Sequence, residues 1–213
     1  IKIDKYGGDA LPVINGMGID RGMNYSGAVH LRNQEYWEIR NLEVTNDDDF
    51  DVDIDLSRPQ GDNSWSSQAE TRNGILIIAD GDLLNDGDDG IFDHIYIENC
   101  YVHDVDGPND WNDTFTGGII YNVVGTKIRP NTSFRDIRIA YNTIRKVDLL
   151  GITGFVQMAK SGYQDDVDTY NLWMEDIYIG HNYIEDVAQG GIDLCDARNA
   201  VVEYNVVNGF LKR

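Results

Sequence analysis

The chain has 213 residues, 41% hydrophobic and 10% aromatic, enough for one globular domain with its own core and too apolar for a disordered chain. Its 37 acidic against 17 basic side chains give a formal charge of −20. That leaves too few cations to replace the counterions of a nucleic acid and disfavours an anionic membrane. No apolar run is long enough for a membrane-spanning helix.

Ile1 opens the chain inside a strand-like alternation with no leader pattern, as expected of a chain trimmed at its N-terminus. The first short strand is "GAVHL" at 27–31, followed by a longer one, "WEIRNLEV" at 37–44. A connection at 46–73 carries the acidic run "DDDFDVDID" and Trp65, and leads to a second short strand, "GILII" at 74–78. Next come the loop "ADGDLLNDGDDGIFD" at 79–93 and the strand "IYIENCYV" at 95–102. Residues 103–117 form a further loop with Trp111 before "GIIYN" at 118–122. Then follow a loop at 124–135, "IRIAYNTI" at 137–144, "GITGF" at 151–155 and a loop at 159–175 that contains Lys160 and Trp173. "IYIGHNYI" at 177–184, "GIDLC" at 191–195 and "AVVEYNVV" at 200–207 complete the series.

The longer strands are one line written five times. Position three is Ile39, Ile97, Ile139, Ile179 and Val202, and position eight is Val44, Val102, Ile144, Ile184 and Val207. Alternation of period two makes them strands with positions one and three inward. Strands with one apolar face cannot bury it alone, so the units must stack and pile like residues into columns. Position six is Leu42, Cys100, Asn142, Asn182 and Asn205, which predicts an asparagine ladder at a turn. The expected fold is all-β: one domain over 1–213, a right-handed parallel β-helix of about five coils with long loop insertions. The abrupt stop at "VVNGFLKR", without a capping unit, suggests a section of a longer solenoid that further segments would complete.

"IKIDKYGGDALPVING", "YWEIRNLEVTN", "GGIIYNV" and "NAVVEYNVVNGF" resemble the right-handed parallel β-helix superfamily of pectate lyases and related carbohydrate-active proteins, and within it a group of bacterial secreted proteins. The resemblance spans nearly the whole chain and is specific for the fold. It implies a secreted or cell-surface protein whose partner is a polysaccharide or oligosaccharide, and it leaves the activity open.

Several residues could carry chemistry. Asp80, Asp82, Asp86 and Asp88 lie close together among glycines and could supply oxygens to calcium, or form a solvated acidic loop. Asp193 and Asp196, in and just beyond "GIDLC", could serve as a carboxylate acid/base pair or simply cap the turn at "DARN". Trp65, Trp111 and Trp173 could stack on sugar rings or pin their loops to the solenoid wall. Lys160, beside Asp165, Asp166 and Asp168, is either a surface ion pair or, by the resemblance to pectate lyases, a β-elimination residue working with calcium. His181 shares its repeat position with Tyr141 and Tyr204, which assigns it to packing. The favoured expectation is a glycoside hydrolase, because a strongly acidic surface repels polyuronates. The alternatives are a calcium-assisted lyase or epimerase, and a non-catalytic glycan-binding or scaffold solenoid.

Overall fold

The structure is a computed structural model, described here over residues 1–17, 26–47, 72–107, 116–125, 132–158 and 173–210. Its strands fall into threes along the chain. The first turn holds β1 (Lys2–Ile3), β2 (Val13–Asn15) and β3 (Gly27–Arg32), and the second β4 (Trp37–Arg40), β5 (Glu43–Asn46) and β6 (Asn73–Asp80). The third has β7 (Ile91–Glu98), β8 (Tyr101–Val105) and β9 (Gly117–Gly125), and the fourth β10 (Ser133–Ala140), β11 (Thr143–Val147) and β12 (Leu150–Met158). The fifth has β13 (Met174–Gly180), β14 (Tyr183–Val187) and β15 (Gly190–Leu194). A partial sixth follows with β16 (Ala197–Arg198), β17 (Val201–Glu203) and β18 (Val206–Phe210).

Each strand pairs in parallel with its counterpart one turn away, which makes three sheets. The first runs β1-β4-β7-β10-β13-β16, with β17 also on β13; the second runs β2-β5-β8-β11-β14-β18, and the third β3-β6-β9-β12-β15. This is a parallel β-helix, all-β, as the repeat requires. Register puts like on like: Ile39, Ile97, Ile139 and Ile179 pair in sequence, and so do Val44, Val102, Ile144 and Ile184. All eight are fully buried.

Two sequence expectations need correction. The eight-residue lines are not single long strands. Each is cut by a two-residue corner, as at 41–42 between β4 and β5, so its two halves belong to different sheets. The first corner residue is left-handed in every copy: Asn41, Asn99, Tyr141, His181 and Tyr204 have φ between 52° and 59°. A second left-handed set, Tyr36, His94, Asp136, Asp176 and Asn199, lies five residues earlier. A single residue in this conformation bends the strand sharply without adding length to the turn.

Nor are the "short" strands short: in the middle turns β6, β9 and β12 have 8, 9 and 9 residues. Every residue of β6 is buried, and so is all of β9 up to Val124. Burial on both faces removes the polar/apolar alternation that marks a strand's length.

The predicted ladder forms. Asn142 donates its Nδ2–H to Asn182 Oδ1 (3.0 Å) and Asn182 to Asn205 Oδ1 (2.9 Å). The same oxygens accept the backbone N–H of Asn142 and of Asn182, each at 2.9 Å, and Asn142 Oδ1 accepts that of Cys100. The corner's buried backbone groups are thereby paired.

Glycines opening the third sheet set its distance from the second. A Cβ on Gly118 would lie 2.8 Å from Ile144 Cγ2 and 2.8 Å from the Gly151 carbonyl. On Gly151 it would lie 2.9 Å from Ile184 Cγ2 and 2.5 Å from the Gly191 carbonyl. The position-eight side chain occupies the space a side chain there would need.

Candidate functional site

The candidate carboxylates sit on the third sheet. Ile192 and Leu194 of β15 pack against the core, so Asp193 between them faces outward. Register carries this outward column from Asp193 to Thr153, Ile120, Leu76 and His30. Beside it Ile78, Val124 and Phe155 join Leu76 and Ile120 in a second apolar cluster, separate from the core inside the coil.

Asp193 is half-buried, and Asp196, just beyond the strand, is exposed with φ 48°. Asp196 Oδ2 accepts the Val156 backbone N–H at 3.0 Å, which ties the carboxylate to the neighbouring turn. Cys195 Sγ donates to Asp193 Oδ1 at 3.4 Å, and Thr153 Oγ1 donates to the Asp193 carbonyl at 2.9 Å. Burial, with the negative charge of Asp193 beside it, pushes the Cys195 thiol up to about 11. At neutral pH it is therefore a neutral donor to the carboxylate. Both cysteines, Cys100 and Cys195, are free thiols.

On the inner face, the Tyr121 ring occupies the place of the side chain that Gly154 lacks: a Cβ there would lie 2.1 Å from its Cζ. The Tyr121 hydroxyl is fully buried without a hydrogen-bond partner among the described residues. Burial raises its pKa, and the nearby Cys195 and Asp193 add to that effect.

The acidic loop does not gather its carboxylates. Asp80 is buried at the end of β6, where its Oδ2 accepts from Arg32 Nε at 3.0 Å and its Oδ1 from the Asp82 N–H at 2.9 Å. Asp88 Oδ2 accepts the Asn85 N–H at 2.7 Å, and Asp82, Asp86 and Asp88 are exposed. Among the described residues no group of three or more His, Cys, Asp or Glu side chains could hold a metal ion. The donor set does not fit the expected calcium, since Asp80 is already neutralised by a guanidinium and the others do not converge.

Trp173 precedes β13 and is 40% exposed, with its carbonyl accepting from Ser133 Oγ at 2.7 Å. Lys160, Trp65 and Trp111 lie outside the described residues.

One arrangement escaped sequence reading, and a second was expected from the repeat. On the outer face of the first sheet His94 Nδ1 meets Asp136 Oδ2 at 3.2 Å and Tyr96 donates to the same carboxylate at 3.1 and 3.0 Å, although His94 and Asp136 are 42 residues apart. At the corner His181 stacks between Tyr141 and Tyr204, with ring centroids 4.8 and 4.9 Å apart. The repeat places these three rings in one column, but their exposure to solvent is visible only in the structure.

The fold and the outward carboxylates define a parallel β-helix with a candidate acid/base site at one end of its third sheet. No family model matches the chain. Among curated proteins, a lacto-N-biosidase of Bifidobacterium longum subsp. longum is 26% identical over 205 residues, covering 83% of this chain and 12% of the relative. Among solved structures, a GH136 lacto-N-biosidase from Eubacterium ramulus superposes with a TM-score of 0.71 at 24% identity, covering 96% of this chain and 34% of that one. This chain therefore spans less than two thirds of the length of either protein. The superposition supports the β-helix; the pectate lyase resemblance gains no support from either comparison.

Proposed function

We propose that the chain forms part of a carbohydrate-active glycoside hydrolase that cleaves a lacto-N-bioside linkage in an oligosaccharide. The observation that carries this reading is the convergence of two comparisons, one by sequence and one by structure, on lacto-N-biosidases across 83% and 96% of the chain. Asp193 and Asp196 supply the two carboxylates that glycosidic cleavage needs, one to protonate the departing oxygen and one to activate water or take up the anomeric carbon. Half-buried Asp193 is held by Cys195 and suits contact with the glycosidic oxygen, while exposed Asp196 suits the water side. A neutral glycan also agrees with a chain of net charge −20.

The test is incubation of the chain with p-nitrophenyl lacto-N-bioside and a panel of neutral and uronate glycans. Release of nitrophenol and of new reducing ends is expected, falling by about 10²–10⁴-fold in Asp193→Asn and Asp196→Asn. Ultraviolet absorbance of an unsaturated uronate would instead establish elimination, and unchanged rates in both variants would remove these carboxylates from the chemistry.

A further inference from the structure

We propose that Trp173 is the stacking platform beside the candidate carboxylates, its indole lying against the apolar C–H face of a neutral pyranose. The inference rests on the glycan reading above and adds the subsite that fixes where the sugar lies and which sugars fit.

Strand register brings the residue to the site. β13 pairs with β16 as Met174 with Ala197, so Trp173, one residue before, stands opposite Asp196 on the next turn. Met174 donates its N–H to the Asp196 carbonyl at 2.8 Å, which holds the two segments side by side. Asp196 in turn reaches back to the third sheet through the Val156 N–H. Indole and candidate carboxylates therefore share the corner where the third sheet passes into the first.

The indole is open to a ligand there. Met174 packs in the core, so the residue before it lies on the outer side of the wall. Met174 itself is fully buried, whereas Trp173 is 40% exposed and Asp196 beside it is exposed as well. The Trp173 backbone is held by Ser133 Oγ at its carbonyl, and among the described residues no hydrogen bond or ring contact engages the indole. A large aromatic face held by its backbone stacks at small entropic cost, because only two side-chain torsions must be fixed.

The chemistry of the corner selects the sugar. Stacking uses the C–H bonds on one side of a pyranose and leaves its hydroxyls free at the rim. Asp193, Asp196 and the exposed Asp176, three residues beyond Trp173, make the surroundings acidic, which excludes an anionic ring.

The experiment titrates lacto-N-biose into the full chain, Trp173→Phe and Trp173→Ala, following tryptophan fluorescence and calorimetric heat, with thermal melting to establish that each folds. The unaltered chain is expected to change its fluorescence on binding. Trp173→Phe keeps an aromatic face, so it is expected to bind within about threefold of the unaltered chain. It is also expected to lose the fluorescence change, although Trp37, Trp65 and Trp111 remain. Trp173→Ala is expected to bind about tenfold or more weakly. A fluorescence change that persists in Trp173→Phe overturns the assignment, and this holds even if the alanine variant fails to fold. Binding by a folded Trp173→Ala within about threefold of the unaltered chain overturns it too, as does equal binding of a uronate glycan. If the unaltered chain binds neither lacto-N-biose nor any glycan of the panel, the glycan reading itself falls. Binding that survives in the variants removes Trp173 alone.

Discussion

Asn182 is the residue on which most of the corner's polar pairing converges. Its oxygen accepts the Asn142 backbone N–H and amide, and its nitrogen donates to the Ile139 carbonyl at 2.9 Å as well as to Asn205. Truncation to alanine leaves the buried Asn142 N–H and Ile139 carbonyl without this partner, so Asn182→Ala is expected to destabilise by about 2–4 kcal/mol in urea titrations. A loss under ~1 kcal/mol would mean that the ladder is ornamental. The thiols allow a second test. Burial pushes both Cys100 and Cys195 from 9.0 up to about 11, so both hold their protons more tightly folded than unfolded. Their stabilising contribution is present in full below pH 9 and is lost as the pH climbs toward 11. Only the thiolate reacts with iodoacetamide, and at pH 8 the folded protein holds about a hundredth of the thiolate present in the unfolded chain. Alkylation of the native protein at that pH is therefore expected to be about 100-fold slower than in urea.

At the scale of the element, the corner between second and third sheets works because glycine meets a branched side chain. Gly151→Ala places a methyl group 2.5 Å from the Gly191 carbonyl and 2.9 Å from Ile184 Cγ2, and neither can move without disturbing the next turn. Overpacking of this kind is expected to reduce stability by about 1–3 kcal/mol, read by thermal melting. The glycines at 74, 118, 151 and 191 were legible in the sequence and share one register column, whereas Gly27 pairs with Asn73, one residue off the expected match. The strand's true length was not. Leu76, Ile78 and Ile120 face away from the coil's core yet are fully buried, so their segments read as uninterrupted apolar runs instead of an alternation. Asn122 falls inside such a run, a single asparagine among apolar residues, and is buried with them.

Across the whole molecule, protection should follow the stacking. Central strands have a neighbour on each side, whereas β17 and β18 pair on one side, leaving Val201, Val202, Val206 and Val207 between 44% and 51% exposed. Amide hydrogen exchange is expected to be slowest in β7–β12, whose strands have a neighbour on each side. Uniform protection along the solenoid would contradict a stack whose stability is a sum of neighbour contacts.

The repeat determined the architecture without coordinates. Side chains recurring at fixed positions can bury their shared face only by piling up, and the columns of isoleucine, valine and asparagine followed from that. What the tertiary structure alone decided was everything that depends on which turn lies beside which outer face. It paired Asp80 with Arg32, tied Asp196 to the Val156 backbone N–H, joined His94 to Asp136, and left the Asn122 amide without a partner among the described residues. Outward side chains are not held to the repeat by packing inside the coil, so their company is set by neighbouring turns whose sequences differ.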